Sequence, residues 1–275
     1  MSFVRLTGIQ LDFYLFRRRW WLSFVVATLV ALWAVSAVRT YSVHYGVPVN
    51  VWDALFQVWL DYHFHFFASN LVFLVLVGDI ALPTAWDEAL LARIGSRRLW
   101  WISKVAVLVV CVLIYTLLLV GTMLVIVSFN LPWGNVWSTG TRTFATEWNI
   151  HPALFQYHPL QALGATLLLL NLGWLSFGLL AAVFCLAFRS FVGALIGSAA
   201  LNFAGLIVLL RPLPAPFDLL SFQYHLLMNY HAFGDPASPY PSLPLSLLYW
   251  LAVITLLALG GRWLSARQDF LRYAP

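Results

Sequence analysis

The chain has 275 residues, of which 62% are hydrophobic and only 9% are charged, and its formal net charge is +5. Soluble domains carry about a quarter charged residues, so this composition excludes an ordinary soluble domain and predicts a membrane protein. In such a protein the basic excess is expected on cytoplasmic loops and against anionic lipid headgroups, and nucleic acid is not an expected partner. The two cysteines, Cys111 and Cys185, lie in apolar runs and are too few for a disulfide framework or a zinc site.

Six apolar runs are long enough, at about 20 residues, to cross a bilayer as helices. They cover residues 20–38, 64–82, 99–129, 163–188, 191–210 and 245–264. The runs are continuous rather than alternating, which favours helices over β-strands. The first run is too long for the apolar core of a cleaved signal peptide, so a retained signal-anchor helix is expected. We therefore predict one all-α polytopic membrane domain over residues 1–275.

Positive charge is distributed unevenly along the chain. Of the fifteen lysines and arginines, only Arg39, Arg142 and Arg211 lie in the three segments 39–63, 130–162 and 211–244. Positive charge marks cytoplasmic loops, so these segments are predicted to be outer and both termini cytoplasmic. A bacterial plasma membrane is the expected location. One outer stretch, 217–230, is apolar but too short to span, and prolines at 212, 214 and 216 precede it. We interpret it as a helix that dips into or lies on the outer leaflet; a folded outer loop is the alternative.

A charged, amphipathic stretch lies between the second and third runs. Thr84 followed by Asp87 predicts a capping box, and Glu88 adds a second carboxylate to the first turn, where the helix dipole favours negative charge. Gly95 is placed to end this helix in a left-handed conformation, so a short helix of about 85–94 is predicted. Its apolar stripe and its basic last turn consist of Leu90, Leu91, Ile94 and Arg93.

A long helix follows at once. Ser96 is placed to cap it, and a basic and aromatic turn leads it into the membrane through Arg97, Arg98, Trp100, Trp101 and Lys104. Two interpretations of the short helix stay open. It rests on the bilayer with its arginines on lipid phosphates, or its leucines pack in a groove of a cytoplasmic partner while Asp87, Glu88 and Arg93 set the register.

The sequence WDEALLARIGSRRLWWISKV, residues 86–105, resembles the segment between the second and third spans of the type-2 ABC transporter permease family. In that family an acidic residue, a leucine pair, an arginine and a basic start of the third helix recur. The architecture is also similar: six spans, cytoplasmic ends, an amphipathic stretch before the first span, and a proline-flanked apolar piece between spans five and six.

The resemblance implies that residues 2–21 form an interfacial elbow helix and that 85–94 is a coupling helix. The implied coupling residues are Thr84, Asp87, Glu88, Leu90, Leu91, Arg93, Gly95, Arg97 and Arg98. The implied partners are membrane lipid, a second permease chain, identical or related, and two ABC ATPase subunits, which would hold ATP and Mg²⁺. The implied function is export of an amphipathic or hydrophobic substrate: a lipid, a lipid-linked glycan, a peptide antibiotic or a drug.

The chain has no phosphate-binding P-loop motif, so no cofactor is expected in it and it is not expected to be an enzyme. Four polar residues within the predicted runs are candidate intramembrane sites: Asn70, Asp79, Asn171 and Asn202. The amides are expected to bridge helices, with contact to a substrate headgroup as the alternative. Asp79 is expected to pair with an inner-side arginine rather than to relay protons. Gly193 and Gly197 form a small face for close helix contact, within the chain or between two chains.

All seven histidines fall on the predicted outer side: His44, His63, His65, His151, His158, His225 and His231. No H-E-x-x-H motif occurs, so hydrogen bonding is expected rather than metal binding; a pH-sensitive outer gate is a further hypothesis. Two rival functions remain. The chain is an integral membrane enzyme that uses these histidines, or a non-transporting scaffold or sensor subunit of an ABC complex.

Overall fold

The computed structural model describes residues 3–214, 217–235 and 237–268, without the side chain of residue 218. Within these ranges all the regular secondary structure is helical, with no β-strand, and positions 2, 216 and 272 lie outside them. The α-helices are α1 Phe3–Leu15, α2 Trp21–Tyr45, α3 Val51–Trp59, α4 Asn70–Val77, α5 Ala85–Ile94, α6 Arg97–Asn130, α7 Thr139–Thr143, α8 Pro159–Phe188, α9 Phe191–Leu210, α10 Phe222–Leu226 and α11 Leu243–Arg267.

Five helices of the described chain are long and apolar enough to cross a membrane, and they confirm five of the six predicted runs. They are Arg18–Tyr45, Arg97–Asn130, Pro159–Phe188, Phe191–Leu210 and Leu243–Arg267. Each is apolar on all sides, as expected of helices that face lipid or other helices rather than water. The chain therefore has the features of a multi-pass membrane protein.

The second predicted run, 64–82, is helical only from Phe64 to Val77. A π-helical turn, Phe64–Ser69, leads into α4, which ends at Val77, and together they form a bend of 65° with α3. The bend begins where Asp61 accepts a hydrogen bond from the backbone N–H of His63 at 2.8 Å. A side chain that bonds nearby backbone competes with helix continuation. The bent pair counts as a sixth crossing only if both arms lie in the bilayer.

α8 forms the centre of the bundle, in contact with α4, α6, α9 and α11, while α2 packs on α6. The core is aromatic around it, with Trp59, Phe73, Trp100, Tyr115 and Trp174 almost fully buried. α1 also lies on α6, because Leu6, Gln10 and Tyr14 recur every four residues on one buried face.

The connecting segments lie at two opposite ends of the helix bundle, where hydrogen bonds join them to one another. At the α5 end, Arg97 donates to the carbonyl of Ala266 at 2.7 Å, which joins the start of α6 to the last turn of α11. At the opposite end, which we call the α7 end, Asn50 donates to the carbonyl of Val136 at 3.0 Å and so joins the start of α3 to the segment before α7.

The apolar stretch 217–230 is not one surface helix as predicted. It forms two 3₁₀ turns, Phe217–Leu220 and Met228–Tyr230, on either side of α10. α10 is buried against α8, α9 and α11. The stretch is thus a folded segment, because its aromatic and amide side chains find partners inside the bundle that a lone surface helix lacks.

Candidate functional site: α5 and the polar contacts of the bundle

α5 is capped at both ends as the sequence predicts. Thr84 Oγ1 accepts a hydrogen bond from the N–H of Asp87 at 3.3 Å, and Gly95 ends the helix with φ of 68°. Ser96 then caps α6 by accepting from the N–H of Leu99 at 3.3 Å. The capping box differs in one detail: the Asp87 carboxylate accepts from the Thr84 hydroxyl at 2.8 Å, not from the backbone.

Asp87 lies at the centre of a buried polar cluster that joins α1, α5 and α6. Its Oδ1 is 2.9 Å from Lys104 Nζ and accepts a hydrogen bond from Trp100 Nε1 at 2.9 Å. Lys104 also donates to the Tyr14 hydroxyl at 3.3 Å, and Tyr14 donates to the carbonyl of Ile80 at 3.0 Å. Burial raises the pKa of Tyr14, so the phenol stays neutral. The cluster fastens α5 to its neighbours.

Two of the implied coupling residues, Asp87 and Leu90, are only 1% and 7% exposed and face the interior of the chain. Asp87 faces the interior because the buried ammonium of Lys104 requires a carboxylate beside it. Leu91 also packs partly against the core. The exposed residues of α5 and of the turn after it are Ala85, Ala89, Ala92, Arg93, Gly95, Arg97 and Arg98.

Asp79 pairs with two arginines, as predicted. Its carboxylate contacts Arg17, and its Oδ1 lies 2.6 Å from Arg19 Nη2. The guanidinium of Arg17 also lies over the rings of Phe13 and Tyr14, 4.5 Å from each centroid. The pairs connect the start of α2 to the segment after α4, beside the cluster around Asp87.

The mid-helix amides bridge helices, as predicted. Asn70 donates to Asn202 Oδ1 at 2.8 Å and accepts from Trp174 Nε1 at 3.0 Å. Asn171 accepts from the hydroxyl of Thr116 at 2.8 Å. Asn70 and Asn202 are fully buried, so these two amides contact other side chains of the bundle and are not available to a headgroup.

The small face of α9 is used within the chain. A Cβ at Gly193 would meet Phe188 at 3.2 Å, and a Cβ at Gly197 would meet Phe184 at 2.9 Å. Both phenylalanines belong to α8. The two glycines therefore let α8 and α9 approach closely on either side of the turn that joins them.

The structure separates most of the histidines but brings two of them together. His63 is exposed and pairs with Asp61 at 3.0 Å, whereas His65 is fully buried. His225 and His231 both contact the hydroxyl of Ser246 on α11. Among the described residues there is no group of three or more His, Cys, Asp or Glu side chains able to hold a metal ion. Sequence reasoning missed Ser246, because only the fold brings it to the histidines.

An open apolar pocket of about 450 Å³ lies between α8, α9 and α11, and residues of the folded segment 217–223 form part of its wall. Its walls include Phe177, Leu201, Ala204, Phe222 and Trp250. Its volume is in the range of small-molecule sites. Its mostly apolar lining suits an apolar group.

No protein-family model matches the chain, and no match is found among curated proteins or solved structures. A function is therefore inferred from three features of the described residues: the fastened helix α5, the ion pairs at its end of the bundle, and the apolar pocket.

Proposed function

We propose that the chain is the membrane-spanning permease subunit of an ABC exporter and that α5 is its coupling helix. The observation that carries this is the construction of α5. It is short, capped at both ends and joined to α6 by the buried pair of Asp87 and Lys104, while its other face stays exposed. A force applied to that face is transmitted to α6 as a rigid-body shift.

In this proposal the α5 end faces the cytoplasm of a bacterium, and the bent pair of α3 and α4 is the sixth crossing. α1 is the elbow helix. The partners are a second permease chain, identical or related, and two ATPase subunits, which bind ATP and Mg²⁺. The basic residues in and around α5 support this orientation, because positive charge stays on the cytoplasmic side.

Substitution of Arg93, the exposed arginine of α5, tests the interaction with the ATPase. We expect Arg93→Glu to reduce co-purification with a co-expressed ABC ATPase subunit at least about tenfold, the equivalent of about 1.4 kcal/mol. Ala92→Asp should act in the same direction, since both positions are exposed. Arg262→Glu is the matched control, because Arg262 is exposed near the end of α11. Equal recovery of the ATPase with all three variants would refute the coupling role.

An amphipathic cargo is proposed because the pocket between α8, α9 and α11 is apolar. Ala204→Phe places a ring in this pocket, and Ala200→Phe makes the same change one turn earlier on α9, at an exposed position that does not line it. In proteoliposomes with the ATPase, we expect stimulation of ATP hydrolysis by an amphipathic drug to be lost only in Ala204→Phe. A subunit that carries no cargo would leave ATP hydrolysis unstimulated in the unaltered protein.

A further inference from the structure

Two histidines of the folded segment 217–231 converge on one hydroxyl of α11. His225 Nδ1 and His231 Nε2 each lie 2.9 Å from Ser246 Oγ. The other ring nitrogens face backbone carbonyls: His225 Nε2 lies 2.7 Å from the oxygen of Leu219, and His231 Nδ1 lies 3.2 Å from that of Leu227. The three side chains are almost fully buried, so their mutual contacts replace contacts with water.

The four contacts require more hydrogens than the neutral groups hold. A carbonyl oxygen only accepts, so His225 Nε2 and His231 Nδ1 must both carry a hydrogen. A neutral imidazole has one N–H, which leaves His225 Nδ1 and His231 Nε2 as lone pairs. Both lone pairs face Ser246, whose hydroxyl has one hydrogen. Three hydrogens are therefore available for four contacts. The Ser246 hydroxyl can donate to only one of the two rings, so the lone pair of the other ring nitrogen faces a lone pair of Ser246 Oγ at 2.9 Å.

We propose that His225, Ser246 and His231 form a binding site for one proton, and that this proton fastens the segment 219–231 to α11. The proton binds the ring nitrogen that lacks a donor. That imidazolium N–H donates to Ser246 Oγ, and the Ser246 hydroxyl donates to the other imidazole. All four contacts are then hydrogen bonds. The two rings share one positive charge, because an equivalent series of hydrogen bonds forms whether the proton is on His225 or on His231.

A second proton binds much less readily than the first. With both rings protonated, Ser246 would accept twice, and its own hydrogen would have no acceptor among its described side-chain contacts. The two buried positive charges would also repel each other. The pair therefore has two widely separated protonation steps, and the structure needs only the first.

The surroundings determine the conditions under which the proton binds. Burial lowers the pKa of His225, and lowers that of His231 to about 4, so both rings are neutral at pH 7. Tyr249 of α11 stacks on His225 at 3.9 Å, and Tyr224 and Tyr230 of the same segment contact each other. His231 also lines a cavity of about 410 Å³ with Tyr157, Gln161 and Ser242, which gives a proton a route to the ring.

The test is titration of the imidazole ¹⁵N signals of histidine-labelled protein in lipid nanodiscs, assigned with His225→Gln and His231→Gln. We expect one proton to be taken up first and to shift the signals of both rings together. In Ser246→Ala this step should move down by about one pH unit or more, because the imidazolium loses a charge-assisted hydrogen bond. Two independent single-ring titrations, or an unchanged first step in Ser246→Ala, would overturn the proposal.

Hydrogen exchange tests the fastening separately. Amides of 219–231 should exchange more slowly in the unaltered protein than in Ser246→Ala. The ratio of the two exchange rates, Ser246→Ala over unaltered protein, should grow as the pH falls through the first protonation step of the histidine pair. Comparison at equal pH cancels the intrinsic pH dependence of exchange. Ser265→Ala is the control, since Ser265 is buried on the same helix and bonds only the carbonyl of Arg262 among the contacts described. A ratio that stays constant with pH would refute the fastening role.

Discussion

Lys104 is the only lysine of the chain, and its ammonium is buried between three helices. The sequence places it in a basic turn at the membrane surface, but the fold turns it inward to Asp87 and Tyr14. A charge in that position is tolerated only because a carboxylate is held beside it. The pair is thus a structural element that determines where α5 lies, and α5 in turn presents Arg93 outward.

Loss of the ammonium should be costly. Lys104→Met leaves the Asp87 carboxylate buried without a cation, and we expect a loss of about 3–5 kcal/mol in stability. The midpoint of thermal unfolding in detergent measures this. Adding Asp87→Asn should restore part of the midpoint, because the unpaired charge disappears. Arg98→Met, an exposed change on the same helix, is the control; an equal loss in both single variants would contradict the buried pair.

Close helix contacts in this bundle depend on single glycines opposite large rings. A Cβ at Gly261 of α11 would lie 2.1 Å from the ring of Trp101 on α6, whereas a Cβ at Gly260 meets nothing within 4 Å. Trp101 also donates from Nε1 to the carbonyl of Ala258 at 2.9 Å. The ring is therefore held on both sides and has little freedom to move away.

The two neighbouring glycines give a matched pair of variants. We expect Gly261→Ala to destabilise the protein by about 1–3 kcal/mol, the usual cost of overpacking. Gly260→Ala should be neutral or stabilising by up to about 1 kcal/mol, because alanine favours a helix more than glycine does. Thermal unfolding of the two variants side by side is the measurement. If Gly260→Ala is the more damaging change, the described contact between α6 and α11 is incorrect.

At the scale of the whole chain, two ends of the bundle carry different residues. The α5 end holds the ion pairs of Asp79 and Asp87, and the α7 end holds the histidine pair and its tyrosines. In the proposed orientation these ends face opposite sides of the membrane, with the bent pair of α3 and α4 completing an even number of crossings.

Cysteine labelling tests this arrangement. In a background with Cys111 and Cys185 replaced by alanine, Val136→Cys at the α7 end should react with a membrane-impermeant maleimide in intact cells. Ala89→Cys on α5 should react only after permeabilisation. Both positions are exposed. A cysteine that does not react is therefore separated from the reagent by the membrane and is not buried in the protein. Labelling of both positions from outside would refute the proposed orientation and with it the cytoplasmic coupling helix.

The sequence alone was enough for the long helices and the caps of α5, because these depend on neighbours within a few residues. Continuous apolar runs bounded α9 at Phe191 and Leu210, and Thr84, Gly95 and Ser96 mark ends that local hydrogen bonds and backbone conformation determine. The bend between α3 and α4 was not predicted, because it lies between Trp59 and Phe64, just before the second apolar run, and α3 was not recognised from the sequence as part of a crossing.

Tertiary structure decided which way the polar side chains face. Asp87 has the spacing of a surface residue, yet Lys104, seventeen positions later, draws it inward; Ser246 lies 21 residues after His225 and meets it only in the folded bundle. An apolar run predicts that a segment is buried in lipid or in the bundle, but it does not predict which helix the segment packs against. Buried polar groups must find partners, and the partners come from distant parts of the chain.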